Sequence, residues 1–142
     1  MYKVLIINGS PRENGNTCVA VSEVAKTLKD DGIEPLVVRL GSDNIRGCIA
    51  CGYCFKNGKC VFNDKVNELS KIFEEVDGLI VASPVYYASA NATLIATLDR
   101  LFYSSHFDMR FKVGASIVVA RRGGCSSTFC LLYTSDAADD KA

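Results

Sequence analysis

Apolar residues follow two alternating rhythms along the chain. Four short stretches, Lys3 to Asn8, Pro35 to Leu40, Gly78 to Ser83 and Val113 to Ala120, are nearly continuous in Val, Ile, Leu and Ala. That pattern suits strands covered on both faces. Between them the apolar positions recur at helical spacing: Val21, Val24, Ala25 and Leu28, then Val66, Leu69, Ile72, Phe73 and Val76, then Leu94, Ile95, Leu98, Leu101 and Phe102. Each set makes one stripe on a helix. Strand and helix patterns in alternation predict βαβ units, hence an α/β fold with a doubly wound parallel sheet. Asp30-Asp31-Gly32 reads as the turn that closes the first helix, although acidic residues there oppose the helix dipole.

A fold of this class collects its ligand at the carboxyl ends of the strands. Three loops are expected to meet there: Gly9 to Thr17, Pro84 to Asn91 and Arg121 to Ser127. The first, Asn8-Gly9-Ser10-Pro11-Arg12-Glu13-Asn14-Gly15-Asn16-Thr17, has neither GxGxxG nor the Gly-Lys-Ser/Thr ending of a P-loop, which argues against dinucleotide and ATP sites of those types. It offers hydroxyls, an Arg, an Asn and backbone amides where a helix begins. A phosphate monoester dianion fits that set, through the helix dipole and charge-assisted hydrogen bonds from Ser10, Arg12, Asn16 and Thr17. An ordinary capped turn, with Asn16 or Thr17 as N-cap, uses the same residues.

Taken together, Gly9-Ser10-Pro11-Arg12 through Gly15-Asn16-Thr17 and Ser83-Pro84-Val85-Tyr86-Tyr87 resemble the NADPH-dependent FMN reductase and iron-sulfur flavoprotein families of flavodoxin-like fold. The resemblance covers about Lys3 to Gly124. It implies FMN as cofactor and NAD(P)H as co-substrate, with the phosphate held by Ser10, Arg12, Asn16 and Thr17. Pro84, Val85, Tyr86 and Tyr87 would line the isoalloxazine ring, since aromatic and proline surface shields a flat ring while backbone groups meet its polar edge. Arg122, Gly123 and Gly124, after the last strand, would flank that ring. Solvated arginines and a strand-end tyrosine are the plainer alternatives at these positions.

Cysteine supplies the strongest chemical signal. Cys48, Cys51, Cys54 and Cys60 are separated by two, two and five intervening residues, with Gly47, Gly52 and Gly58 to relieve crowding. Such spacing lets a backbone fold around one metal centre, and thiolates are the ligands of iron-sulfur clusters. It resembles the compact motif of the iron-sulfur flavoproteins, which implies a 4Fe-4S cluster on these four residues. Structural zinc, a Cys51–Cys54 redox dithiol and idle thiols stay open as alternatives. Cys18 and Cys125 read as bystanders packed like small hydrophobes. A single histidine, His106, gives a hydrolytic triad little support.

The remaining numbers narrow the setting. The 142 residues are 49% hydrophobic, which excludes disorder, and 16 basic residues balance 16 acidic ones. Zero formal charge gives no electrostatic reason for nucleic acid or an anionic membrane as partner. No apolar run approaches membrane-spanning length, and the run after Lys3 is too short for a secretory signal, so a cytoplasmic location with reduced cysteines is expected. Residues 130–142, from Cys130 to Ala142, lack core periodicity and resemble translated sequencing-adapter read-through. The expected organisation is therefore a flavodoxin-like FMN-binding domain over 1–129, truncated at its C-terminal side, and a non-native tail over 130–142. Four of the usual five strands are found, in the order 2-1-3-4, leaving the fourth as an open edge. The expected function is an FMN-dependent NAD(P)H oxidoreductase serving a quinone, flavin, nitro compound or redox protein, and homo-oligomeric when full-length. A flavodoxin-like electron carrier without its own substrate and a cysteine-bound metal module are the alternatives.

Overall fold

The computed structural model describes residues 1–137. Its elements are β1 (Lys3–Asn8), α1 (Asn16–Asp30), β2 (Glu34–Arg39), α2 (Tyr53–Asn57), α3 (Lys65–Glu75), β3 (Gly78–Tyr86), β4 (Ser89–Ala90), α4 (Ala92–Ser104), β5 (Val113–Val119) and α5 (Cys125–Ala137). The four expected strands are β1, β2, β3 and β5, and they pair in parallel in the expected order, β2-β1-β3-β5. The short β4 is an addition, bonded antiparallel to β3.

Side-chain alternation divides the sheet into two apolar faces. Leu5 and Ile7 of β1, with Leu79 and Val81 of β3, point toward α3 and α4 and meet Val66, Leu69, Phe73, Leu94, Leu98 and Leu101. Ile6 and Ala82 point the other way and meet Val21 of α1, with Val24, Ala25 and Leu28 packed around them. All three helical stripes are thus covered as their periodicity requires. The turn after α1 closes with hydrogen bonds from Asp31 N to Thr27 O and from Ile33 N to Leu28 O. Lys29, the basic residue of the last turn, offsets part of the acidic mismatch there.

Three features depart from the expectations. Pro84, Val85 and Tyr86 extend β3 instead of starting a loop. Pro84 pairs with Val119 at the end of the β3–β5 ladder, where its missing N–H costs little. The loop expected over Arg121 to Ser127 ends early, because α5 begins at Cys125. That helix crosses residue 130, packs on β5 and β4, and buries its Leu132 fully in the main core. The boundary expected at 130 therefore falls inside a helix, while 138–142 lie outside the described residues. β5 is an edge as expected, bonded among the described residues only to β3, and its Val113 is 73% exposed. No helix among the described residues is long and apolar enough to cross a membrane.

Candidate functional site

The carboxyl ends of β1, β3 and β5 carry the three expected loops, and the structure ties them together. At the first, β1 ends in Asn8, whose Oδ1 accepts the Ser10 N–H at 2.9 Å. The Ser10 hydroxyl then accepts the Arg12 N–H at 3.3 Å, which turns the chain back on itself. Ser10 and Thr17 are buried beneath this turn, whereas Arg12 and Asn16 are exposed. Helix α1 starts with Gly15 as N-cap, and no side chain caps it. The expected caps, Asn16 and Thr17, are instead the first two helical residues. The N–H groups of the first helical turn have no partner inside the helix, and their dipole favours an anion. This uncapped start fits a phosphate.

Cys18 is not a bystander. It accepts a hydrogen bond from Asn8 Nδ2 at 3.2 Å and donates to Arg12 O at 3.1 Å, so its thiol joins the strand end to the loop.

The second loop is a two-residue hairpin. Tyr86 pairs with Ser89 and Val85 with Ala90, leaving Tyr87 and Ala88 at the turn with φ of 51° and 62°. Positive φ at both central positions is the tight-hairpin geometry that Asn-Gly ordinarily supplies, and side chains there cost about 1 kcal/mol or more each. Strain of this kind persists where surrounding contacts over-determine it. Tyr87 projects fully into solvent, Tyr86 is exposed, and Pro84 and Val85 are half-buried.

Below the hairpin, Asn91 and Ser83 form a buried junction. Asn91 Nδ2 donates to Gly9 O at 2.5 Å, and Asn91 N donates to the Ser83 hydroxyl at 3.0 Å. Asn91 thereby fastens the first loop to the second. Gly124 fastens the third: at φ 96° its missing Cβ would lie 2.8 Å from Val85 Cγ1 and 3.0 Å from Ala88 Cα. Ser127 adds a hydrogen bond to Ala88 O at 2.7 Å. Arg122 and Gly123 are exposed at the same edge.

The four clustered cysteines line one cleft, together with Arg100, Tyr103 and Ser104 of α4. Left-handed Ala50 and Gly52 wind the chain between Cys48 and Cys54, and Cys54 sits in the single-turn α2. Gly47, expected to relieve crowding, has open space where a Cβ would go. Cys54 is buried, Cys60 half-buried, and Cys48 and Cys51 are exposed. Among the described residues no three His, Cys, Asp or Glu side chains are close enough to hold a single metal ion. The thiols therefore surround a space instead of converging on a point. Ser104 also lines this cleft, and its buried hydroxyl has no hydrogen-bond partner among the described residues. An orphaned donor beside four thiols fits a group that brings sulfur acceptors of its own.

Arg100, Asp64, Asn91 and Ser104 were not singled out from the sequence. Arg100 and Ser104 sit within a helix of ordinary apolar period. Asp64 carried a detectable signal, since Asp before a helical stripe reads as an N-cap, and its Oδ1 accepts the Val66 N–H at 3.1 Å. Arg100 is buried and meets both Asp64 oxygens, at 2.7 and 2.8 Å. Burial works against its charge, but hydrogen bonds to Asp64 and Cys60 outweigh it and hold the guanidinium pKa above its ordinary value. His106 is an exposed residue stacked on Phe55 at 5.5 Å.

Known proteins resemble the chain in sequence and in fold. The profile of the NADPH-dependent FMN reductases matches residues 2–132. An iron-sulfur flavoprotein of Methanocaldococcus jannaschii is 38% identical over 129 residues, 89% of this chain and 67% of that protein. One from Archaeoglobus fulgidus is 38% identical over 118 residues, 82% of this chain and 54% of that protein. The chain thus spans between about half and two thirds of the length of these relatives. Among solved structures, RosB superposes with a TM-score of 0.79 at 17% identity, covering 97% of this chain and 60% of that one. A flavodoxin from the domain Archaea gives 0.64 at 14% identity, covering 96% and 74%. The fold is therefore flavodoxin-like, and the chain belongs to the NADPH-dependent FMN reductase and iron-sulfur flavoprotein family.

Proposed function

We propose that the chain is the flavin-binding part of an NAD(P)H-dependent oxidoreductase that serves a small acceptor (a quinone, free flavin or nitro compound) or a redox protein. One observation carries the reading. The uncapped start of α1 opens on a loop that Asn91 joins to the strained β3–β4 hairpin, with Gly124 closing against the far side. FMN, when bound, supplies hydride acceptance and release of electrons singly or in pairs. The chain's own residues bind and orient. Arg12 and the amides of Asn16 and Thr17 hold a phosphate, with Ser10 and Cys18 fixing the loop that presents them. Pro84, Val85, Tyr86 and Tyr87 cover a flat ring, and Arg122, Gly123 and Gly124 flank it. A role for the sequence as a 4Fe-4S protein rests on Cys48, Cys51, Cys54 and Cys60 sharing one cleft and on relatives that are themselves iron-sulfur flavoproteins. A cytoplasmic location and, for the full-length protein, a homo-oligomer complete the proposal.

An anaerobic absorbance spectrum with FMN, iron and zinc quantified on one sample tests both halves. Flavin bands with bound iron are expected; colourless, zinc-loaded protein overturns the reading. Arg12→Ala is expected to weaken FMN binding roughly 10- to 150-fold, the worth of one charge-assisted contact of about 1.5–3 kcal/mol. Unchanged affinity by fluorescence titration would show that the loop does not hold the phosphate. Cys54→Ser is expected to lose iron and keep FMN, and a variant with full iron content would remove Cys54 from the ligand set.

A further inference from the structure

Arg100 is an expensive residue for its place. It lies on α4 between Leu98 and Leu101, on the buried side of the helix, and is only 1% exposed. A guanidinium has five N–H groups, and burial is tolerable when each finds an acceptor. Here Nε donates to Cys60 Sγ at 3.3 Å. Nη1 donates to Asp64 Oδ2 at 2.7 Å and Arg46 O at 3.2 Å. Nη2 donates to Asp64 Oδ1 at 2.8 Å and Phe62 O at 3.4 Å. The acceptors flank the thiol loop on both sides, two residues before Cys48 and at Cys60, Phe62 and Asp64, so one side chain clamps both ends of the loop to α4. Asn67 completes the grip on Cys60 by bonding its backbone N–H at 2.9 Å and its carbonyl at 3.1 Å. One turn further along α4, Ser104 is 2% exposed and its partnerless hydroxyl lines the same cleft.

We propose that Arg100 and Ser104 are a donor pair built into α4 that positions Cys60 and raises the reduction potential of the iron-sulfur centre. The inference rests on the cluster reading given above. Reduction by one electron adds negative charge to the sulfurs around the iron. Hydrogen bonds to those sulfurs stabilise the reduced state more than the oxidised one. Arg100 supplies such a bond, with a full positive charge, through Cys60 Sγ. Ser104 supplies a hydroxyl whose acceptor is the bound group. Both are positioning residues, since the iron ligands are the thiols.

The test uses the full chain, reconstituted anaerobically with ferrous iron and sulfide and titrated with dithionite under electron paramagnetic resonance. Ser104→Ala removes one hydroxyl without disturbing the Arg100 network. Its iron content should match that of the unaltered chain. Its reduced-to-oxidised ratio at a fixed potential should fall about tenfold, a shift of about 59 mV downward for one electron. Arg100→Lys keeps the charge but loses the fork, and should shift the potential the same way while giving up iron faster to a chelator. Full iron loading with potentials unchanged in Ser104→Ala overturns the donor pair, whether or not Arg100→Lys folds. Failure of the unaltered chain to take up iron overturns the cluster reading itself, and is seen before any variant is made.

Discussion

Asp64→Ala is expected to cost about 4 kcal/mol of folding stability, measured by urea denaturation of the full chain. Removing one partner of a buried ion pair leaves the other charge desolvated, which typically costs about 3–5 kcal/mol. The Arg100 side chain is completely buried, whereas Asp64 is 28% exposed, so water can reach part of the vacated space and the lower end of that range applies. Loss of the N-cap to Val66 adds to the cost, by about 1 kcal/mol in typical helices. The damage is also expected to spread to the thiol cleft, because Asp64 holds the guanidinium that reaches Cys60. Asp64→Asn keeps an oxygen for the cap and for one Arg100 N–H, and should lose less. A loss below about 1 kcal/mol for the alanine variant would mean that Arg100 finds other acceptors, and that Asp64 does not anchor the cleft.

Gly9→Val is expected to be nearly as severe, at about 3 kcal/mol, the upper end for overpacking a well-filled interior. A Cβ on Gly9 would stand 2.7 Å from Asn91 Oδ1, 2.9 Å from Leu94 Cβ and 3.1 Å from Ala82 O. None of these can yield cheaply: one is strand backbone, one is the root of a core side chain, and the third belongs to the amide that joins the two loops. The variant should therefore lose FMN affinity along with stability, since pushing Asn91 aside uncouples the first loop from the hairpin. Gly47→Ala makes the control. Open space surrounds that position, so its effect should stay within about 0.5 kcal/mol. Thermal unfolding and fluorescence titration of FMN on both variants decide the matter. A Gly9→Val protein that melts with the unaltered chain and binds FMN equally well would show that the loops are not coupled through this contact.

The thiol cleft and the flavin-type loops are held by different means. The loops are secured by backbone approach and neutral hydrogen bonds through Gly9, Ser83, Asn91 and Gly124. The cleft is secured by one charged side chain reaching across from α4. Substitutions in the two places are accordingly expected to separate: Arg12→Ala should lower FMN content alone, and Ser104→Ala should alter only the iron centre.

What the sequence determined by itself was whatever depends on near neighbours in the chain. The continuous apolar runs of β1 and β3, the three helical stripes and the turn at Gly32 are local signals, and burial on a sheet covered on both faces leaves them little freedom. The four thiols were legible for the same reason, being packed into thirteen residues. The β3–β4 hairpin was not, because no Asn-Gly marks the turn at Tyr87 and Ala88, and the contacts that Gly124 and Ser127 make with Ala88 come from far along the chain. Helix α5 was read as loop and tail, since only the packing of Leu132 against the core shows which way it faces. Arg100 and Ser104 look from sequence like ordinary breaks in an apolar stripe, and Asn91 like a loop amide. Their meaning depends on groups 36 to 82 residues away, such as Asp64 and Gly9, and a hydrogen bond across that separation exists only once the sheet has brought both ends together.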